Sequence, residues 1–201
     1  MQDSPVRKIV IAGALGAVSV VMAITPLGYL PWFGGVSLTI MHIPVILAAV
    51  LEGPVAGTVV GLIFGVTSLV KAAVAPVTPV DPLFTNPLVS VLPRLLIGIA
   101  AWAVYRMFRG KATPLAAACA GAFGGFTNTI LVLGMLGLVE GKRLAQALGM
   151  DLSGVWPMLT GVALSNGLLE AAAAAVFTSA IVSAWKGISK SGGKARIADQ
   201  E

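Results

Sequence analysis

The chain has 201 residues and a net charge of +5; 57% of its residues are apolar and only 10% charged, where a soluble domain carries about 25% charged residues. At a mean hydropathy of +0.95, a globule of this size cannot hide its apolar surface from water, which excludes soluble globular, disordered, collagen-like and disulfide-stapled classes. A polytopic membrane protein remains, with roughly five to seven spans of about 20 residues each and no room for a second, soluble domain.

The first span is predicted over 9–24, behind the positive flank of Arg7 and Lys8 and ended by Thr25-Pro26. It resembles a secretory signal, but no small-residue cleavage site follows, so it reads as a retained helix. Residues 25–37 are rich in Pro, Gly and aromatics and carry no charge. A short second span covers about 38–51, and Glu52-Gly53-Pro54 turns into a third over about 55–75. Residues 76–87 hold four prolines and Asp81, the mark of a structured loop. The fourth span covers about 88–108, the fifth 114–138 and the sixth 156–185, with a polar connection over 139–155. The reading is an all-α bundle of six transmembrane helices forming one membrane domain over 1–201.

Six spans put both termini on one side. Arg7, Lys8, Arg106, Arg109, Lys111, Lys186, Lys190, Lys194 and Arg196 share that side, against Lys142 and Arg143 opposite. Basic residues flank membrane helices on the cytoplasmic face, so the termini are expected inside. The three long, irregular loops then face outward, where a ligand would be met. The 24 glycines and many alanines suit close helix packing. Cys119 is alone, so it forms no intramolecular disulfide; it reads as a small residue in an apolar helix.

Polar residues inside the membrane are costly and point to function. The ionisable candidates are Lys71, Arg94 and Glu170, and the uncharged ones His42, Asn86, Asn128 and Asn166. Helix rise places Arg94 about 10 Å deep, and Asn128 and Asn166 about 15 Å deep. Glu170 follows Asn166 by one turn on the same face. Matching depth on three spans suggests a common pocket open to the outside. Other readings stand beside it: Asn128 and Asn166 as interhelical glue, Arg94 with Glu170 as a buried ion pair, Lys71 reaching to lipid headgroups, His42 as a packing residue. If Arg94 and Glu170 neutralise each other, Lys71 is the spare positive charge and an anionic ligand is favoured. Trp32 and Trp156, at the outer interface, are either aromatic belt or a stacking wall over a ligand. No catalytic constellation, metal-ligand set, G-x-S-x-G elbow or Walker A motif occurs, so neither enzyme nor cofactor is expected.

The sequence resembles the substrate-binding S component of energy-coupling factor (ECF) vitamin transporters. The resemblance rests on Met41-His42-Ile43-Pro44-Val45-Ile46, Glu52-Gly53-Pro54, Gly57, Gly61, Gly65-Val66-Thr67-Ser68, Asn86-Pro87, Leu92-Pro93-Arg94-Leu95-Leu96-Ile97-Gly98 and Asn128-Thr129. It implies six helices with cytoplasmic ends in a bacterial or archaeal cell membrane. It further implies an external pocket among spans four to six with the first outer loop as lid. The implied partners are a T component and two ATP-binding subunits, as in an ABC transporter, with membrane lipid around the helices and no nucleic acid. The family docks through A-x-x-x-A on span one; the nearest matches here are Ala12-x-x-x-Gly16 and Gly13-x-x-x-Ala17. Gly65-Val66-Thr67-Ser68 and the Pro-rich loop before Arg94 look most like pantothenate-type members, with folate, riboflavin or a pyridoxine-like compound also open. The rival reading is a stand-alone carrier coupled to protons through Glu170.

Overall fold

The computed structural model describes residues 5–25, 28–31, 37–108 and 112–198. The elements run α1 (Pro5–Ile24), β1 (Tyr29–Pro31), β2 (Ser37–Thr39), α2 (Ile43–Glu52), α3 (Pro54–Val74), a 3-10 turn (Asp81–Thr85), α4 (Pro87–Ser90), α5 (Leu92–Met107), α6 (Thr113–Leu148) and α7 (Leu152–Ala198). The protein is a helical bundle with one short antiparallel ribbon, in which Tyr29 pairs with Thr39. Among the described residues, five stretches are long and apolar enough to cross a membrane: 5–24, 54–74, 87–107, 113–148 and 152–187.

The expected span at 38–51 needs correction. Residues 37–39 form β2, and α2 has only 10 residues, about 15 Å of helix and half of a membrane. Its start is set by Pro44 in the first turn, where a missing N–H costs nothing. Its end is set by Gly53, at φ 98°, a conformation that other residues adopt at a cost. The short helix is the centre of the bundle: Val45, Ile46, Ala48 and Ala49 are fully buried.

The expected connection at 139–155 is also mostly helix. Nothing in 139–148 breaks the pattern, and α6 runs on until Gly149, at φ 64°. There the N–H of Met150 reaches back to the Ala145 carbonyl at 3.0 Å, closing the helix. The expected fourth span is interrupted at Val91, ahead of Pro93, and so divides into α4 and α5.

Small residues bring the helices together. On α3, Gly57, Gly61 and Gly65 form a stripe at spacing four, all buried. A Cβ on Gly57 would lie 3.0 Å from the Gly98 Cα, one on Gly61 would strike the Arg94 carbonyl, and one on Gly65 would lie 2.8 Å from the Val91 Cα. The α3–α5 contact is therefore backbone against backbone. The α6–α7 seam is similar: a Cβ on Gly121 or Gly125 would press on the backbone of Ala174 or Ala171. In lipid, such close packing and its dispersion energy replace the hydrophobic drive between helices.

Charge gathers at the two ends. Where α1, α3 and α6 begin, Arg7 pairs with Glu52 at 2.8 Å, and the Lys186 ammonium donates to the Tyr105 hydroxyl at 2.9 Å. The far end holds the 3-10 turn, α4 and the last turns of α6. Its own small core includes Leu83, Val89, Leu136, Leu144 and Leu159.

Candidate functional site

Buried polar groups converge in the middle of the bundle from α2, α5, α6 and α7. His42, at the start of α2, is fully buried. Its two ring nitrogens have no hydrogen-bond partner among the described residues. The lack of a side chain at Gly125 makes room for it: a Cβ there would lie 3.3 Å from His42 Nε2 and 3.1 Å from the Ala171 Cα. On α6, Asn128 and Thr129 are buried, and Asn128 Oδ1 also lacks a partner among the described residues. Each such acceptor costs about 1–3 kcal/mol if nothing pairs with it.

Arg94, buried on α5, donates from a guanidinium nitrogen to the Val89 carbonyl at 2.6 Å. Its guanidinium lies 5.3 Å from the ring centre of Phe64 and 5.9 Å from that of Phe84, which favours a desolvated cation. Its charge is felt at both His42 and Glu170. Glu170 on α7 is buried and accepts from the Thr39 N–H at 2.8 Å and the Thr129 hydroxyl at 3.0 Å, with the Thr39 hydroxyl beside them.

A second polar group sits at the far end. Asn86 accepts from the Leu88 N–H at 3.0 Å, capping α4, and donates to Glu140 at 2.8 Å. The other Glu140 oxygen pairs with Arg143 at 3.0 Å. Asp81 accepts from the N–H groups of Val77 and Thr78 at 2.6 and 2.9 Å, and from the Thr78 hydroxyl at 2.7 Å. Burial pushes the Asp81 carboxyl up, but these donors and the nearby Lys71 charge outweigh it and hold the group below its ordinary value.

The family model that describes the substrate-specific component of ECF transporters matches residues 7–182. The chain belongs to that family. S components are transport subunits rather than enzymes. The chain is also 30% identical over 167 residues to the pantothenic acid transporter PanT of Lactococcus lactis subsp. cremoris (strain MG1363), covering 76% of this chain and 80% of that relative.

Within this S component the structure sorts the residues singled out from the sequence. It buries His42, Arg94, Asn128 and Glu170, with Arg94 within electrostatic reach of His42 and Glu170 and with Asn128 next in the chain to Thr129, a partner of Glu170, while Asn166 is half-buried one turn before Glu170. Asn86 lies in the far-end group with Glu140. Lys71 is half-buried in the last turn of α3. Trp156 is 48% exposed, its ring against Gly137. Trp32 lies outside the described residues. On α1, Ala12 and Gly16 face inward, with Gly16 against Ile63, whereas Gly13 and Ala17 are exposed. Two shallow grooves lie away from the polar centre: one by Phe123, Phe126 and Ile130 on α6, one by Ala118, Ala175 and Ser179 between α6 and α7. Both are open faces of spanning helices. Among the described residues, no cluster of His, Cys, Asp or Glu could hold a metal ion.

Sequence reasoning missed Glu140, which it placed in a loop. The signal was present: Val132, Leu136, Glu140 and Leu144 recur at spacing four, all buried on one helix face.

Proposed function

We propose that this S component binds pantothenate, or a closely similar carboxylate-bearing vitamin, between α2, α5, α6 and α7. Arg94 supplies the positive field for the carboxylate. His42, Asn128 and Asn166 supply polar contacts for its hydroxyl and amide groups. Lys71, Trp156 and Trp32 belong to the approach from outside. The observation that carries this reading is the set of buried polar atoms on His42 and Asn128 that lack partners among the described residues, with the buried Arg94 cation within electrostatic reach of His42. The pantothenate transporter among its relatives supports the choice of vitamin.

The proposal extends to topology and partners. The termini are cytoplasmic, in a bacterial or archaeal cell membrane, and six membrane-embedded helices form one domain with α2 as the half-length member. A T component and two ATP-binding subunits drive uptake. The exposed pair Gly13 and Ala17 docks α1 to the T component, because only small residues allow that close an approach.

Isothermal titration of the purified protein against pantothenate, folate, riboflavin and pyridoxine tests the substrate. Saturable binding of pantothenate alone supports the reading; binding of none of them refutes it. Arg94→Ala is expected to weaken pantothenate binding at least about tenfold, the effect of removing a charged partner from a buried pair. Gly13→Leu is expected to leave binding intact and abolish ATP-driven uptake in proteoliposomes with the partner subunits. The buried carboxylate of Glu170 favours a second reading, proton-coupled carriage by this chain alone. Uptake into liposomes lacking every ATPase subunit, collapsed by an uncoupler, would establish that one instead.

A further inference from the structure

Glu170 contacts two elements that are far apart in the chain. One carboxylate oxygen takes the Thr39 N–H, 131 residues away, and the other takes the Thr129 hydroxyl, 41 residues away. Thr39 is the last residue of β2 and opens the corner that leads into α2. The rest of that corner is held by backbone hydrogen bonds, one of them to the residue before β1. The Ile40 N–H donates to the Gly28 carbonyl at 3.2 Å, and the Ile43 N–H to the Ile40 carbonyl at 3.1 Å. Met41 is buried and packs closely on Gly28: a Cβ there would lie 2.7 Å from Met41 Cγ. His42 follows, fully buried, its Nε2 3.3 Å from where a Cβ on Gly125 of α6 would sit, and Ala171 of α7 packs on the same glycine. Ala171 is the neighbour of Glu170 in the chain, so the anchor and the stretch of α7 packed on the glycine beside His42 are one piece of helix.

We infer that Glu170 is a positioning residue: it fastens the Thr39–Ile43 corner onto α6 and α7, sets His42 in place, and does not itself meet the vitamin. This rests on the ligand site proposed above. Both of its oxygens already accept a strong, charge-assisted bond. A carboxylate facing an anionic vitamin would repel it, whereas one facing a backbone N–H and a hydroxyl does useful structural work. The task needs an acceptor towards Thr39, and it does not need a charge. The Thr129 hydroxyl also lies 3.3 Å from the Gly125 carbonyl, a second acceptor for its proton. An amide at position 170 would thus keep the network, its oxygen taking the Thr39 N–H and its nitrogen donating to Thr129.

The test compares Glu170→Gln, Glu170→Ala and Thr129→Val with the unaltered protein, full-length and purified. Amide hydrogen exchange at Thr39 is followed without ligand, and the dissociation rate of radiolabelled pantothenate is measured alongside. Glu170→Gln is expected to keep Thr39 protected and to bind pantothenate as well as the parent or better. Glu170→Ala is expected to expose the Thr39 amide and to speed pantothenate release about tenfold, with the association rate little changed. Thr129→Val removes one arm only and is expected to fall between the two. If Gln weakens binding as much as Ala, the charge itself is needed and the inference is wrong. Unchanged Thr39 exchange in Ala overturns it too. If Ala does not fold, the Gln and Val variants still decide. Absence of pantothenate binding by the parent refutes the ligand proposal, and the exchange data then judge the anchor on their own.

Discussion

The middle and the far end of this bundle both bury polar side chains, but they treat them differently. At the far end, every oxygen of Glu140 has a partner, and Asn86 both caps a helix and donates to that carboxylate. In the middle, His42 and Asn128 are as deeply buried yet keep ring nitrogens and an amide oxygen unpartnered among the described residues. Satisfied networks hold a structure together; unsatisfied ones oppose stability, and they persist where something else uses them. Polarity and burial are shared by both groups. Partnership separates His42 and Asn128 from Glu140, while Glu170, in the middle, is partnered as Glu140 is.

Substitutions test this contrast, because they should move stability and binding in opposite directions. The largest effect is expected from Asn128→Leu, which swaps an unpaired acceptor for an apolar group of similar shape. Pantothenate affinity should fall at least about tenfold while thermal unfolding stays unchanged or rises, since an unpaired buried polar atom costs about 1–3 kcal/mol. A lower melting temperature with normal titration would place Asn128 with the scaffold. Glu140→Ala is the converse. It should cost about 2 kcal/mol in urea or thermal unfolding and leave affinity within a factor of about three. Lost binding with unchanged stability would erase the distinction.

The smallest effect concerns Asp81, at the far end and outside the spans. Its folded carboxyl is held below the ordinary value. Its stabilisation should therefore be complete above the unfolded pKa, about 4, and be lost as pH falls through the lower folded value. Asp81→Asn should flatten that acid limb in a melting-temperature profile from neutral pH to pH 3, and an unchanged limb would show that Asp81 contributes nothing to it.

Much of the fold could be read from one chain. The third span was expected at 55–75 and is 54–74, because Gly53-Pro54 marks its start chemically. Arg94, Asn128 and Glu170 stood out because an apolar segment makes any polar residue conspicuous. The ribbon did not stand out, since three residues are too few for a period-two pattern to be seen. Glu140 was hidden by its charged neighbours Lys142 and Arg143, which make a helix look like a loop. The pairings of Asn86 with Glu140 and of Thr129 with Glu170 span 54 and 41 residues. No local pattern encodes such pairings; they follow from helices packed through glycine.

The half-length of α2 has a further consequence. This helix is 10 residues long, with His42 at its tip and Val45, Ile46, Ala48 and Ala49 fully buried behind it, so the polar centre backs onto close-packed side chains. On the proposed reading, a solute held beside His42 would meet those side chains on its far side and would have no straight path through them. Under the proposed function, delivery to the other side of a membrane would then require the whole site to be carried across, work that the proposed ATP-binding partners would supply.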